Sequence, residues 1–284
     1  MLRTDKLPHA LLLTGPSSAG KTTVALALAH EILGYAGDLS SHPDFLSLET
    51  LVDEKTGKRK SQISVEQVRE LIRRLSLSSL TAGAKVVFIQ EAPLLSMGAV
   101  NALLKTLEEP KGNVHIILRA GDPEDLPATI VSRCQHLRLC LVSQEVIVEG
   151  LRKMGFSGED AHAAAHQSLG RPGRAVRFLK DSEYRSNEET LRNQATAFFS
   201  AGLPERLRLV MEYLPKETGE KEEMLGRLVD QWEIVCREEL LDDVREGNQE
   251  SVKRWLRIFS RVRDVREASA NHINAHLALE HIAL

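Results

Sequence analysis

The residues best spaced to do chemistry lie near the start of the chain. Gly15-Pro16-Ser17-Ser18-Ala19-Gly20-Lys21-Thr22 satisfies the pattern G-x-x-x-x-G-K-[ST]. In that spacing the glycines permit a tight turn and successive backbone N–H groups converge on phosphate oxygens. A helix starting at the end of the loop adds positive potential, and Lys21 reaches the outer phosphates. Thr22 is expected to offer its hydroxyl to Mg²⁺, and Thr23 completes the expected nucleotide-binding set. The bland alternative is a tight structural turn with no ligand.

Phosphoryl transfer also needs groups from a second strand that hold the metal and activate water. The run Ala84–Gln90 (AKVVFIQ) reads as a buried parallel strand, and it ends on Gln90-Glu91. Glu91 stands where a water-activating carboxylate belongs; the alternative is a surface or capping carboxylate. Gln90 takes the place of a metal-holding aspartate, and its uncharged amide gives Mg²⁺ much less electrostatic support. The loop is therefore intact while the hydrolytic half is altered, which predicts weak or absent hydrolysis.

The elements that must position these groups follow from hydrophobic pattern. HALLLT (9–14) is a short apolar strand entering the loop, and KTTVALALAHEIL (21–33) is the helix after it. This strand, Gly-rich loop, helix order is the context a phosphate loop requires. Residues 36–62 are polar and read as a surface loop or hairpin. SVEQVRELIRRLSL (64–77) opens with Ser64 and Gln67 at capping-box spacing. VNALLKTLEE (100–109) is a helix stopped by Pro110, and NVHIILR (113–119) is another buried strand. Alternating strands and helices predict a doubly wound α/β sheet with its site at the carboxyl ends of the strands. Beyond about residue 141 the pattern turns helical. Two apolar stripes, Leu225, Leu228, Val229, Trp232, Val235, Cys236 and Leu240, then Val252, Trp255, Leu256, Phe259 and Val262, read as bundle core.

Several segments together resemble a known family. MGAVNALLKTLEEP (97–110) and LPATIVSRCQ (126–135) are similar to the helix and the Ser-Arg-Cys motif of bacterial clamp-loader subunits, which are AAA+ ATPases. LPHALLLT (7–14), His42-Pro43-Asp44 and SVEQVREL resemble the delta-prime type more than the gamma/tau type. GRPGR (170–174) is similar to the family's lid motif, and NHINAHLALEHIAL (271–284) to the end of its collar domain. The resemblance implies an AAA+ core over 1–141, a small helical lid over 142–181 and an all-α collar over 182–284. It implies that Arg133 acts as an arginine finger in a neighbouring subunit's nucleotide site, with an intramolecular ion pair as the alternative. Arg174 would be the lid arginine facing this chain's own loop, or a structural residue, and Arg171 a surface charge. The implied partners are gamma/tau and delta subunits, with the sliding clamp and primed DNA reached through the complex.

The departures from the family are equally specific. The stretch HEILGYAGDLSSHPDF lacks the cysteines of the family's zinc module, so no zinc is expected. The chain begins almost at the first strand, without leading residues that often help to hold adenine. The family's polar sensor residue is missing around Arg119-Ala120-Gly121. A structural subunit with little hydrolysis of its own is therefore expected; an active gamma-type motor and an unrelated nucleotide kinase are the alternatives.

Composition bounds these readings. Among 284 residues, 42% are hydrophobic and 27% charged, enough for about two domains with real cores. A net charge of -3 argues against strong sequence-blind DNA binding by the chain alone, and 4% aromatics leave few platforms for stacked bases. Cys134, Cys140 and Cys236 have neither zinc nor redox spacing and are expected as buried free thiols. His9, His42 and His136 are expected to be structural. No run is long enough for a membrane span, and a cytoplasmic location is expected.

Overall fold

The computed structural model describes residues 7–52, 57, 59–77, 79, 83–213, 218–269 and 275–283, with backbone alone for 218–223, 267–269, 275, 276 and 278. Parts of the expected 36–62 loop (53–56 and 58) and of the terminal segment (271–274 and 284) lie outside the described residues. The chain divides into two compact units, Met1–Val146 with Gly170–Gly173, and Ile147–Leu169 with Arg174–Leu284.

The first unit is built on five parallel strands: β1 (Ala10–Thr14), β2 (Phe45–Leu48), β3 (Lys85–Ile89), β4 (Val114–Arg119) and β5 (Gln135–Arg138). Their spatial order is β2-β3-β4-β1-β5. Parallel neighbours need crossovers, supplied here by α1 (Lys21–Leu33), α2 (Val65–Ser76), α3 (Met97–Glu108) and the single turn α4 (Ala128–Val131). Because side chains alternate along a strand, the sheet buries both faces. Leu12, Val87, Ile89, Ile116 and Leu118 pack with Leu71, Leu103 and Leu107 of α2 and α3. Leu11, Leu13, Val86, Phe88 and Ile117 pack with Ala25, Ala29 and Leu33 of α1. Ser64 and Gln67 form the reciprocal capping box that starts α2.

Two strands were not legible in the sequence. β2 lies inside the segment read as a polar loop; only Leu46 and Leu48 of its four residues are buried, too short a pattern to register as a strand. β5, Gln-His-Leu-Arg, is exposed along its whole length and is held by pairing with β1 rather than by burial.

The second unit is helical: α5 (Gln144–Lys153, entering from the first unit), α6 (Gly158–Gln167), α7 (Pro172–Lys180), α8 (Ser182–Ser200), α9 (Leu203–Tyr213), α10 (Thr218–Glu246), α11 (Gln249–Ser269) and α12 (Ala275–Ala283). Its core centres on Trp232, fully buried and stacked on Phe198 at 4.3 Å between ring centroids. Phe199 meets Trp232 and Trp255 edge-on. The first expected stripe holds, with Leu240 at its margin. The second needs correction: α11 buries Trp255, Ile258, Val262 and Val265, whereas Leu256 is 52% exposed. The 3-4-3 spacing of the buried set leaves Leu256 on the neighbouring, solvent-facing row. The cysteines also divide: Cys236 is buried, Cys134 half-buried with its thiol raised by burial to about 11, and Cys140, expected inside, is exposed.

Trp232→Ala should lower the stability of the helical unit by about 3–5 kcal/mol, since the cavity lies at the centre of an aromatic cluster. Denaturant unfolding followed by the fluorescence of Trp255 measures this; a loss below about 1 kcal/mol would contradict the packing.

Candidate functional site

The site forms at the carboxyl ends of β1, β3 and β4. β1 leads directly into the phosphate loop, and Gly15 is needed there: its φ is 130°, and a Cβ would overlap the Leu139 carbonyl oxygen. The Gly15 amide donates to Gly121 O at 3.0 Å and ties the loop to the turn after β4. Ser17, Ser18, Gly20, Lys21, Thr22 and Thr23 line a cavity of about 560 Å³, within the range that holds small-molecule ligands. Pro16 and Ala19 shape the turn, the Ala19 amide donating to Pro16 O at 3.3 Å. The first turn of α1 carries no acidic residue, so nothing in it offsets the positive end of the helix.

Gly173 closes one side of this cavity. Its amide donates to Ser18 O at 2.9 Å, and a Cβ at Gly173 would press on the same oxygen at 2.9 Å. The GRPG segment therefore belongs against the phosphate loop through its backbone.

Lys21 folds onto the loop, Nζ donating to Gly15 O at 2.5 Å and Pro16 O at 2.7 Å. Burial, and then the nearby Arg119 guanidinium, hold its pKa below the ordinary lysine value. Arg119, the last residue of β4, is the site residue that sequence reasoning missed. Its Nη1 donates to Thr22 Oγ1 at 2.7 Å and its Nε to Gln90 O at 2.5 Å. The signal was a cation at the carboxyl end of a central buried strand; only the absence of a polar sensor was read there.

The residues around Thr22 do not fit a magnesium ion. Mg²⁺ takes an octahedral set of oxygens, commonly with one or two carboxylates. The Thr22 oxygen, expected as a metal ligand, accepts from a guanidinium instead. The Gln90 amide nitrogen donates to Ser47 Oγ at 2.9 Å. Glu91 accepts from Thr50 Oγ1 at 3.3 Å and lies 3.9 Å from Arg59, so its charge is partly balanced within the chain.

The two expected arginines have carboxylate partners. Arg133 follows α4 and pairs through Nε and Nη2 with Glu108 at the end of α3, while Nη1 donates to Thr129 O at 2.9 Å. Its side chain keeps 32% exposure, so the intramolecular pair, the alternative weighed above, is present at the surface. Arg174 is a buried residue of the helical unit. Its Nη1 donates to Asp230 at 2.6 Å and its Nη2 to Glu188 at 2.7 Å. Glu188 also accepts from Gln231 and Arg227, and Asp230 pairs with Arg266. Both terminal nitrogens of Arg174 are engaged by acids of α8 and α10, since a buried guanidinium requires anionic partners, and the structural role weighed above is thus present. Arg171 is half-buried rather than a plain surface charge. His9 and His136 bond Leu107 O and Thr14 Oγ1, and His42 accepts from the Asp44 amide, all within the fold.

A parallel sheet carrying a phosphate loop, with a helical region after it, defines a P-loop chain of the AAA+ fold. Residues 1–142 match the family described as DNA polymerase III, delta subunit, and the chain belongs to that family. DNA polymerase III subunit delta' of Haemophilus influenzae is 33% identical over 222 residues, covering 73% of this chain and 64% of that protein. The Escherichia coli subunit delta' is 32% identical over 196 residues, covering 63% of this chain and 57% of that one. The chain thus spans under two thirds of the length of these relatives. Among solved structures, a DNA polymerase III gamma subunit-related protein from Thermotoga maritima shares the fold, with a TM-score of 0.52, 18% identity, and 96% of this chain and 92% of that chain covered.

Removing each arginine should separate their structural roles. Arg174→Ala should destabilise the helical unit by about 3 kcal/mol, the lower end for a broken buried pair because Arg227 and Arg266 still face its acids. Arg133→Ala should change stability by less than about 1 kcal/mol, as expected of an exposed pair. Chemical denaturation read by Trp232 and Trp255 tests the first and calorimetry of the whole chain the second; equal effects would contradict this assignment.

Proposed function

We propose that this chain is the delta-prime-type subunit of a bacterial sliding-clamp loader, a structural member that hydrolyses ATP weakly or not at all. The observation that carries the reading is the combination of family membership with an altered hydrolytic half-site. Gln90 stands at the end of β3 where a metal-holding carboxylate is needed, and its amide is already bonded to Ser47. Glu91 lines the cavity but has Arg59 at 3.9 Å, so its charge is partly balanced within the chain. Phosphoryl transfer depends on charge neutralisation and positioning, and both are weakened here.

In this reading Arg133 is supplied in trans to a neighbouring subunit's nucleotide. Its place at the surface beside Glu108 supports that role, since the carboxylate holds the guanidinium in one orientation before any neighbour arrives. The partners are gamma/tau and delta subunits, and through them the clamp and primed DNA. Gamma and tau subunits are also among the relatives of this chain, and its intact phosphate loop favours a gamma-type motor as the second reading.

Reconstitution with the cognate loader subunits tests the proposal. The chain should enter a stable complex, and Arg133→Ala should slow hydrolysis at the site it serves by on the order of 10³-fold while leaving assembly intact. An unchanged rate would remove the trans role. The isolated chain should show negligible ATPase; turnover abolished by Lys21→Ala would favour the motor reading.

A further inference from the structure

The loop cavity collects positive charge from two sources and supplies little negative charge of its own. Lys21 enters from the start of α1 and Arg119 from the end of β4, and both line the same space. Glu91 is the acidic residue among the lining groups, and it is shared with Arg59. Two cations held this close repel one another, and an anion between them relieves that cost.

The partners of Arg119 decide what it does there. Both are neutral oxygens, the Thr22 hydroxyl at 2.7 Å and the Gln90 carbonyl at 2.5 Å. They orient the guanidinium without cancelling its charge. Among the described residues no partner takes its Nη2, so that nitrogen and one Nη1 hydrogen are available to phosphate oxygens. Guanidinium remains protonated at any physiological pH, and its planar donors match phosphate geometry. The hydroxyl it holds is the one a phosphate loop offers to a divalent cation. A metal there would have to displace Arg119 from Thr22 or sit against its charge.

We propose that Arg119 takes the place of the divalent cation, so that this loop binds the polyphosphate of a nucleoside di- or triphosphate without metal. The charge that Mg²⁺ would bring with the ligand is built into β4 instead. Such a site holds nucleotide while lacking the metal and the metal-holding carboxylate that Gln90 replaces, which suits a subunit whose nucleotide is structural. The inference rests on reading the loop as a nucleotide site, and is independent of assembly into a loader.

Isothermal titration calorimetry of the full chain with ATP and ADP, in EDTA and in MgCl₂, tests it. The affinity in EDTA should lie within about threefold of that in Mg²⁺. Arg119→Ala should lose about tenfold or more of the EDTA affinity and recover part of it on adding Mg²⁺, with Arg119→Lys intermediate. Circular dichroism and thermal melts establish that each variant is folded; should Arg119→Ala fail to fold, the wild-type comparison and Arg119→Lys decide. Wild-type binding that is about tenfold or more tighter with Mg²⁺, or Arg119→Ala binding like wild type in EDTA, overturns the proposal while leaving the nucleotide site standing. Absence of binding under both conditions, with Lys21→Ala unchanged from wild type, overturns the nucleotide site itself and the proposal with it. Neither result bears on co-assembly, which the reconstitution measures separately.

Discussion

The hydrogen bonds from Arg119 to Thr22 and to the Gln90 carbonyl join three parts that must meet for any phosphate chemistry: the start of α1, the end of β3 and the end of β4. Parallel strands deliver their carboxyl ends to one edge, and a phosphate loop delivers its hydroxyl there too. What occupies that meeting point sets the chemistry. A divalent cation would bridge nucleotide oxygens and be exchanged with solvent. A guanidinium fixed to the backbone carries a single charge, cannot leave, and brings no water molecules for activation. The loop keeps its glycine-shaped turn, and Lys21 and Arg119 both line the cavity beside it.

Three arginines in this chain illustrate how the partner decides the role. Arg119 is held by neutral oxygens and keeps its charge for a ligand. Arg174 is enclosed by Glu188 and Asp230, and its charge serves the packing of the helical unit. Arg133 lies between these cases, paired with Glu108 yet a third exposed. The same distinction applies to Glu91, whose carboxylate lies near Arg59. Residue type alone would assign all four to nucleotide chemistry; the environment separates them.

Much of the fold was legible because its signals are local. The apolar runs of β1, β3 and β4, the capping box of α2 and the glycine spacing of the loop each fix their own conformation. β2 and β5 were missed because they are edge strands, one with two buried side chains and the other with none, so pairing rather than hydrophobicity makes them strands. Leu256 was placed inside because apolar character was read without the exact row on α11. The fates of Arg119 and Arg174 depend on residues 29 to 97 and 14 to 56 positions away, and spacing cannot report such contacts. Gln90 was read as a lost carboxylate, whereas the cation bonded to its carbonyl, Arg119, comes from another strand and was not anticipated.

The central claim is that a protein guanidinium, and not a metal ion, faces the phosphates in this loop. A crystal structure of the chain grown with ATP and excess Mn²⁺, with anomalous diffraction recorded for manganese, tests it most directly. The account predicts Arg119 within hydrogen-bond distance of both Thr22 Oγ1 and a phosphate oxygen, with no anomalous peak beside Thr22. A manganese peak coordinated by Thr22, with Arg119 turned away, would contradict it.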